Sequence, residues 1–192
     1  MRARAGFSLV ELMIAITVMT FVTGIVVVQF SGFDSAIVTK ARAYDAAQAV
    51  RAAQAYATQI RAASSTDTAF ATQYLARFTK GSEEILIMRK EGEGTAQPIE
   101  YRQLTAGYKT QKLCTVSADG SVHAASTVGQ MLDIAFQRPD IAASSTPSWA
   151  IPASPVVRSY VGIAGADLSL IHWIEVDHTG SVAVVPSALL CE

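Results

Sequence analysis

The sequence predicts an α+β protein, in which a long N-terminal α-helix packs on a C-terminal antiparallel β-sheet head. Over the first 63 residues, apolar and alanine-rich segments repeat at the helical period. Beyond residue 80 the period changes towards two, and Gly, Asp and Ser turns separate the apolar runs, as strands require. At 192 residues the chain has room for one modest globular domain and an additional segment.

The first part of the predicted helix, residues 7–33, is long and apolar enough to cross a membrane. No charged residue occurs between Leu12 and Phe33, and residues 12–28 are apolar except for three threonines and a glycine. About 20 apolar residues span a bilayer as a helix. Threonine hydroxyls can hydrogen-bond to carbonyls within the same helix, so these threonines are not expensive in lipid.

The second part, residues 34–63, is alanine-rich and amphipathic, and it contains no proline. Asp34 or Ser35 could cap a separate helix, or one helix could run from Phe7 to about Ala63, roughly 85 Å. We expect one apolar stripe, mainly of small residues, to pack on the head, and it comprises Ala43, Ala46, Val50, Ala53, Ala57 and Ile60.

The head is predicted over residues 64–192. Seven segments have the alternating or apolar pattern of strands: Ile85–Arg89, Ile99–Leu104, Tyr108–Val116, Met131–Gln137, Val156–Ile163, Leu168–Val176 and Ser181–Val185. Asp119-Gly120 is a hairpin signal. Residues 140–155 contain three prolines and several serines and threonines, which predicts a surface loop and a candidate contact site.

The apolar run and the residues around it argue against two common kinds of exported protein. A cleaved secretory signal is disfavoured because the apolar run is long and no small-x-small site follows it. A plain signal anchor, with Arg2 and Arg4 on the cytoplasmic side, leaves Glu11 unexplained. A carboxylate just inside the hydrocarbon costs free energy and requires a partner.

Gly6-Phe7-Ser8-Leu9-Val10-Glu11-Leu12 resembles the processing motif of type IV prepilins and type II secretion pseudopilins at every position. The resemblance implies that residues 1–6 are a leader, that a prepilin peptidase cuts between Gly6 and Phe7, and that Phe7 is then N-methylated. It also implies that Glu11 neutralises the α-amine of a neighbouring subunit in a filament core. One departure is the absence of the proline that many members carry near the position of Val28.

A weaker resemblance concerns the head. Leu132–Pro139 and Ile174–Val182 are similar to late segments of H-type minor pseudopilins and related minor pilins. We therefore expect a minor subunit of a type IV pilus or type II secretion pseudopilus, with a pilin-like fold. The partners implied are prepilin peptidase, other pilin or pseudopilin subunits, an inner-membrane assembly platform, and membrane lipid before assembly. The head is expected outside the cytoplasm, in the periplasm or at the cell surface.

Cys114 and Cys191 are the two cysteines of the chain. Export to an oxidising compartment favours a disulfide between them, whereas a cytosolic chain would keep two free thiols.

The sequence supports neither an enzyme nor a cofactor site. His123, His172 and His178 lack the spacing of a metal site, so no metal is expected. Trp149, Tyr160 and Trp173 lack a surrounding basic cluster, so we expect packing rather than nucleic-acid binding. The alternative function is a membrane-anchored binding module, an adhesin or a DNA-uptake pilin, that recognises a ligand through the 140–155 loop.

Overall fold

A computed structural model describes residues 8–59, 72–105, 107–137, 142–150, 152–165, 170–188 and 191, with only the backbone given for residues 28–34. These residues form one helix, α1 (Leu9–Thr58). They also form ten strands: β1 (Thr72–Thr79), β2 (Glu84–Glu91), β3 (Gln97–Gln103), β4 (Lys109–Ser117), β5 (Val122–Ala124), β6 (Met131–Gln137), β7 (Ala143–Pro147), β8 (Val156–Ala164), β9 (Ile171–Asp177) and β10 (Val182–Val185). The α+β class is confirmed.

The helix α1 is continuous from Leu9 to Thr58. No separate helix starts at Asp34 or Ser35, so the continuous alternative is confirmed over this range. The predicted end near Ala63 lies outside the described residues. The chain divides into two compact units, an N-terminal unit, Met1–Val38, and a C-terminal unit, Thr39–Glu192. Each unit is described separately below.

The antiparallel β-sheet head of the C-terminal unit is confirmed, and it consists of two sheets, a division that the sequence did not reveal. The first sheet has the strand order β3-β2-β1-β6-β7, and the second has the order β10-β9-β8-β4-β5. Two sheets arise because the chain leaves the first after β3, builds β4 and β5 of the second, and returns with β6 and β7. The last three strands then complete the second sheet.

The predicted alanine stripe of α1 forms the centre of the core. Ala43, Ala46, Val50, Ala53 and Ala57 are all buried, while Ile60 lies outside the described residues. They share one cluster with side chains of both sheets, among them Phe78, Ile87, Ile134, Val161, Ile163 and Ile174. Small side chains let the helix approach the strands closely, so the larger strand residues fill the space between the layers.

Polar side chains fix the helix on both of its flanks. On one side the Tyr56 hydroxyl donates to Glu100 of β3 at 3.0 Å. On the other side Arg51 donates to the carbonyl of Val182 at 3.0 Å, at the start of β10. The helix is therefore tied to an edge strand of each sheet.

Two strands were missed by the sequence analysis. β1 pairs with β2 and β6 in the middle of the first sheet. The alternation of apolar and polar side chains along β1 is hard to recognise, because Gln73 and Arg77 make the segment polar overall. The prediction that residues 140–155 form a loop is wrong over Ala143–Pro147, because this segment is β7 and pairs with β6. Its Pro147 is tolerated because β7 is an edge strand at which the chain leaves the sheet.

The predicted hairpin at Asp119-Gly120 is confirmed. It joins β4 to β5, and Gly120 has a φ of 83°, a left-handed conformation that glycine adopts without strain. Asp119 accepts hydrogen bonds from the amide and the hydroxyl of Ser121, which closes the turn.

Candidate processing and assembly site

The start of α1 places Glu11 in the first helical turn. The Leu12 amide donates to the carbonyl of Ser8 at 3.2 Å, so Ser8 is the residue that precedes the helix. Glu11 is then the third helical residue, and Ser8-x-x-Glu11 has the spacing of a capping box. A carboxylate at this end is also favoured by the partial positive charge of the helix dipole. Local helix chemistry therefore stabilises an acid at this position.

Glu11 is exposed and has no ion-pair partner among the described residues. Its predicted counter-charge, an α-amine of another subunit, would come from outside this chain. Gly6 and Phe7, the predicted cleavage site and the predicted site of N-methylation, lie outside the described residues. Of the predicted site residues at the N-terminus, the structure therefore positions Glu11.

The helix that follows Glu11 has the length and composition of a membrane span from Leu9 to Val27. None of this span is buried within the protein, and large side chains such as Met19 and Phe21 are exposed. Exposed apolar area costs free energy in water roughly in proportion to its size, about 25 cal/mol per Å². Such a surface is suited to burial in a lipid bilayer or against other apolar helices.

The threonines of the span satisfy their hydroxyls within the helix, as expected from the sequence. Thr17, Thr20 and Thr23 each donate to the carbonyl four residues earlier, at 2.7–2.8 Å. In an apolar surrounding an unsatisfied hydroxyl would cost several kcal/mol, so these bonds make the span compatible with lipid.

The predicted disulfide between Cys114 and Cys191 is present, with Cα atoms 6.0 Å apart. Cys114 lies on β4, on the face of the second sheet that points away from α1. Cys191 belongs to the C-terminal tail, the residues after β10. The tail residues Ala188 and Cys191 pack on this face with Tyr160 and Trp173. The disulfide therefore fastens the tail over a second, smaller apolar cluster.

The aromatic residues that were considered for nucleic-acid stacking are packing residues. Trp173 and Tyr160 are buried in the cluster under the tail, and Trp149 packs against the main core. His123 contacts the Ser121 hydroxyl at 3.2 Å in the β4–β5 hairpin, and His178 lies in the turn between β9 and β10. Within the described ranges, no group of three His, Cys, Asp or Glu residues could hold a metal ion.

Two residues with structural roles were missed from the sequence. Ser8 precedes the helix, and the Ser8-x-x-Glu11 spacing would have identified it. Gly162 lies opposite Trp173 in the ladder between β8 and β9. No local sequence signal distinguishes such a glycine from one in a turn, because the reason for it is the size of a side chain on another strand.

Residues 1–27 match the family model of the prokaryotic N-terminal methylation motif. No curated protein and no solved structure showed significant similarity to the chain. The matched residues contain the predicted cleavage site, Glu11 and the exposed apolar span. The match covers the N-terminal end of the chain, and it supports the resemblance of this segment to type IV prepilins and pseudopilins.

Proposed function

We propose that this protein is a structural subunit of a type IV pilus or a type II secretion pseudopilus. Prepilin peptidase cuts between Gly6 and Phe7, Phe7 is N-methylated, and the apolar helix then packs in the core of a filament. The observation that carries this proposal is the methylation motif, with Glu11 in the first turn of a helix whose apolar span, Leu9–Val27, is exposed.

The charges at the N-terminus favour an assembly in which Glu11 of one subunit forms an ion pair with its neighbour. A carboxylate among apolar helices is tolerated when an opposite charge and hydrogen bonds compensate for its lost hydration. Cleavage creates an α-amine on Phe7 of every subunit. An interaction between Glu11 of one subunit and the amine of its neighbour neutralises both groups and sets the stagger between the two helices.

The location of the subunit follows from its charges and its cysteines. Arg2 and Arg4 precede the span, which favours the leader on the cytoplasmic side and the C-terminal unit outside the cytoplasm. The Cys114–Cys191 disulfide supports an oxidising compartment such as the periplasm. Before assembly the span lies in the inner membrane, from which an assembly platform extracts the subunit.

A minor role in the filament is supported by the similarity of Leu132–Pro139 and Ile174–Val182 to H-type minor pseudopilins. In the structure these segments include β6 and the turn between β9 and β10. Counting this subunit against the others in purified filaments by quantitative mass spectrometry tests the proposal. A minor subunit is far outnumbered by another pilin, and equal or greater abundance would refute the minor role.

The Glu11→Ala variant tests the assembly role. Processing depends on the residues around Gly6, so we expect the variant to be cleaved normally and to remain in the membrane. Incorporation into sheared or purified filaments should fall at least tenfold, because the amine of the neighbouring subunit loses its counter-charge.

Glu93→Ala is the matched control. Glu93 is an exposed acid in the turn between β2 and β3. Its substitution by alanine removes the same negative charge at a site outside the helix. The variant should incorporate like the wild type. If Glu11→Ala is incorporated normally, the charge-pairing account is wrong. If the protein binds a ligand while it remains in the membrane and never enters a filament, the binding-module alternative is favoured.

A further inference from the structure

Within the part of the chain that the structure describes, β3 has no strand paired on its outer edge. β3 is an edge strand of the first sheet, and the Leu104 amide, just after it, donates to the Glu83 carbonyl on the β2 side. Because the direction of N–H and C=O alternates along a regular strand, those of Tyr101 and Gln103 point away from β2. Ile99 is the extra residue of a bulge and has no partner on β2. Among the described residues, no backbone hydrogen bond crosses this outer edge.

The side chains on this edge are unusually apolar for a solvent-facing strand. Ile99 and Tyr101 are 45% and 63% exposed, and Tyr101, next to the helix-facing Glu100 in the regular part of the strand, lies on the face of the sheet away from α1. Natural edge strands are usually protected by charges, prolines or bulges. Here Pro98 and the bulge at Ile99, opposite Ile87/Met88, protect the first part of β3, whereas the pairing with β2 is regular from Glu100 to Gln103.

The charges on the other face of β3 distinguish between the ways in which a second strand could pair. Glu100 and Arg102 face the helix side, and they form an ion pair within the chain at 2.8 Å. Their side chains keep 32% and 35% of their exposure, so both remain within reach of a neighbouring strand.

Two antiparallel registers pair the outward groups of Tyr101 with outward groups of an identical strand. One pairs Tyr101 with Gln103 and places Arg102 opposite its own copy. Like charges directly opposite one another are destabilising. The other register places Glu100 opposite Arg102 of the other chain twice, with Tyr101 facing Tyr101 on the two-fold axis.

We propose that β3 pairs with β3 of a second copy of this chain, antiparallel about a two-fold axis at Tyr101. The two first sheets then form one continuous sheet. The interface is isologous, as in most homodimers, because the same surface is used by both partners. It uses neither Glu11 nor the apolar span, so it is independent of the proposed assembly through the helix.

Cross-linking of the full-length chain in detergent tests the register. Opposed residues of a hydrogen-bonded antiparallel pair have Cα atoms about 5.5 Å apart, within disulfide range. With a mild copper-phenanthroline oxidant, Tyr101→Cys should therefore form a covalent dimer. Gln97→Cys is the control on the same strand, since the register separates it from its copy by roughly 26 Å, eight residues at 3.3 Å each.

Reversing the charge of Glu100 or of Arg102 tests the pairing independently, because these variants need no introduced cysteine. Glu100→Arg and Arg102→Glu each place like charges opposite one another in a homodimer, so each alone should lose dimer at least tenfold in sedimentation experiments. Mixing the two variants restores opposite charges at both positions, and the mixture should dimerise. Both variants lack the ion pair between residues 100 and 102 of one chain, and mixing does not restore it. Recovered dimerisation must therefore come from contacts between the chains.

Four results would overturn the proposal. Equal cross-linking of Tyr101→Cys and Gln97→Cys would show an unspecific contact, and no cross-linking of either would show that the edge stays unpaired. Failure of the mixed charge variants to dimerise would remove the register. If Tyr101→Cys cross-links in cells to a different protein in place of its own copy, the occupant of the edge is that protein. Loss of filament incorporation in Glu11→Ala leaves all these results unchanged.

Discussion

Trp173 lies directly opposite Gly162 in the ladder between β8 and β9, and the absence of a side chain at Gly162 makes room for its indole. A Cβ atom at Gly162 would lie 3.2 Å from Cζ3 of Trp173 and 3.0 Å from Cγ2 of Ile171. Lys112, opposite Gly162 on β4, places its ammonium 5.8 Å from the centre of the indole. One glycine thus makes room for the largest side chain of the second cluster.

Gly162→Ala should destabilise the C-terminal unit by about 1–3 kcal/mol, because an added methyl group overpacks a filled site. Chemical denaturation followed by tryptophan fluorescence measures the change. Gly24→Ala is the control, since nothing lies within 4 Å of a Cβ at that position. It should leave the unfolding of the C-terminal unit unchanged, and equal stability of Gly162→Ala and the wild type would contradict the packing account.

Removing the disulfide should both destabilise the chain and expose Trp173. The bond closes a loop with a sequence separation of 77, which a chain-entropy estimate values at about 4 kcal/mol. Cys114→Ser and Cys191→Ser should each release the tail, and the fluorescence of Trp173, now 1% exposed, should shift to the red. Reduction of the wild type should give the same spectrum, whereas an unshifted spectrum would show that the tail stays in place without the bond.

The two oxygens of Asp133 accept hydrogen bonds from Nε and Nη2 of Arg77, both at 2.7 Å. The residues lie opposite one another on β1 and β6, and their side chains are 25% and 24% exposed. Arg77→Lys keeps the charge but loses the planar fork, so we expect a loss of about 1 kcal/mol in the free energy of unfolding. A double-mutant cycle with Asp133→Asn should show coupling, and additive effects would contradict the pairing.

The turn between β9 and β10 should lose stability in acid. Hydrogen bonds from the side chain and amide of Thr179, and from the amide of Ser181, hold the pKa of the Asp177 carboxyl below its ordinary value of 3.8. A lowered pKa in the folded state stabilises the fold above pH 3.8, and this contribution is lost as the pH falls through the folded value. Thr179→Val removes the largest of these interactions.

The stability difference between wild type and Thr179→Val should therefore be greatest near neutral pH and shrink below about pH 4, as measured by denaturant unfolding across this range. A difference that stays constant with pH would show that the Thr179 hydroxyl acts on stability without involving the charge of Asp177.

How much of this fold could be predicted depends on how local the determining signal is. The apolar span, the alanine stripe and the Asp119-Gly120 hairpin rest on spacings within one segment, and the structure agrees with each. β7 was predicted as loop because its residues have little strand propensity. Its conformation is determined instead by pairing with β6, a partner that propensity does not reveal.

The division into two sheets was equally hidden. The strand patterns of β3 and β4 do not show that the chain changes sheets between them. At the candidate site the motif around Glu11 was evident, because its chemistry depends on adjacent residues. The packing of the C-terminal tail over Trp173 was not evident from the sequence. A disulfide between Cys114 and Cys191 shows that the tail is joined to β4, but it does not show which surface the tail covers.

The central claim is that the N-terminus is a processing signal for assembly. Intact-mass and N-terminal peptide mass spectrometry of the protein purified from its native membrane or filament tests it most directly. The mature chain should begin at Phe7 and carry one methyl group on its α-amine. A chain that begins at Met1, at a residue beyond the apolar span, or at an unmethylated Phe7 would contradict the claim.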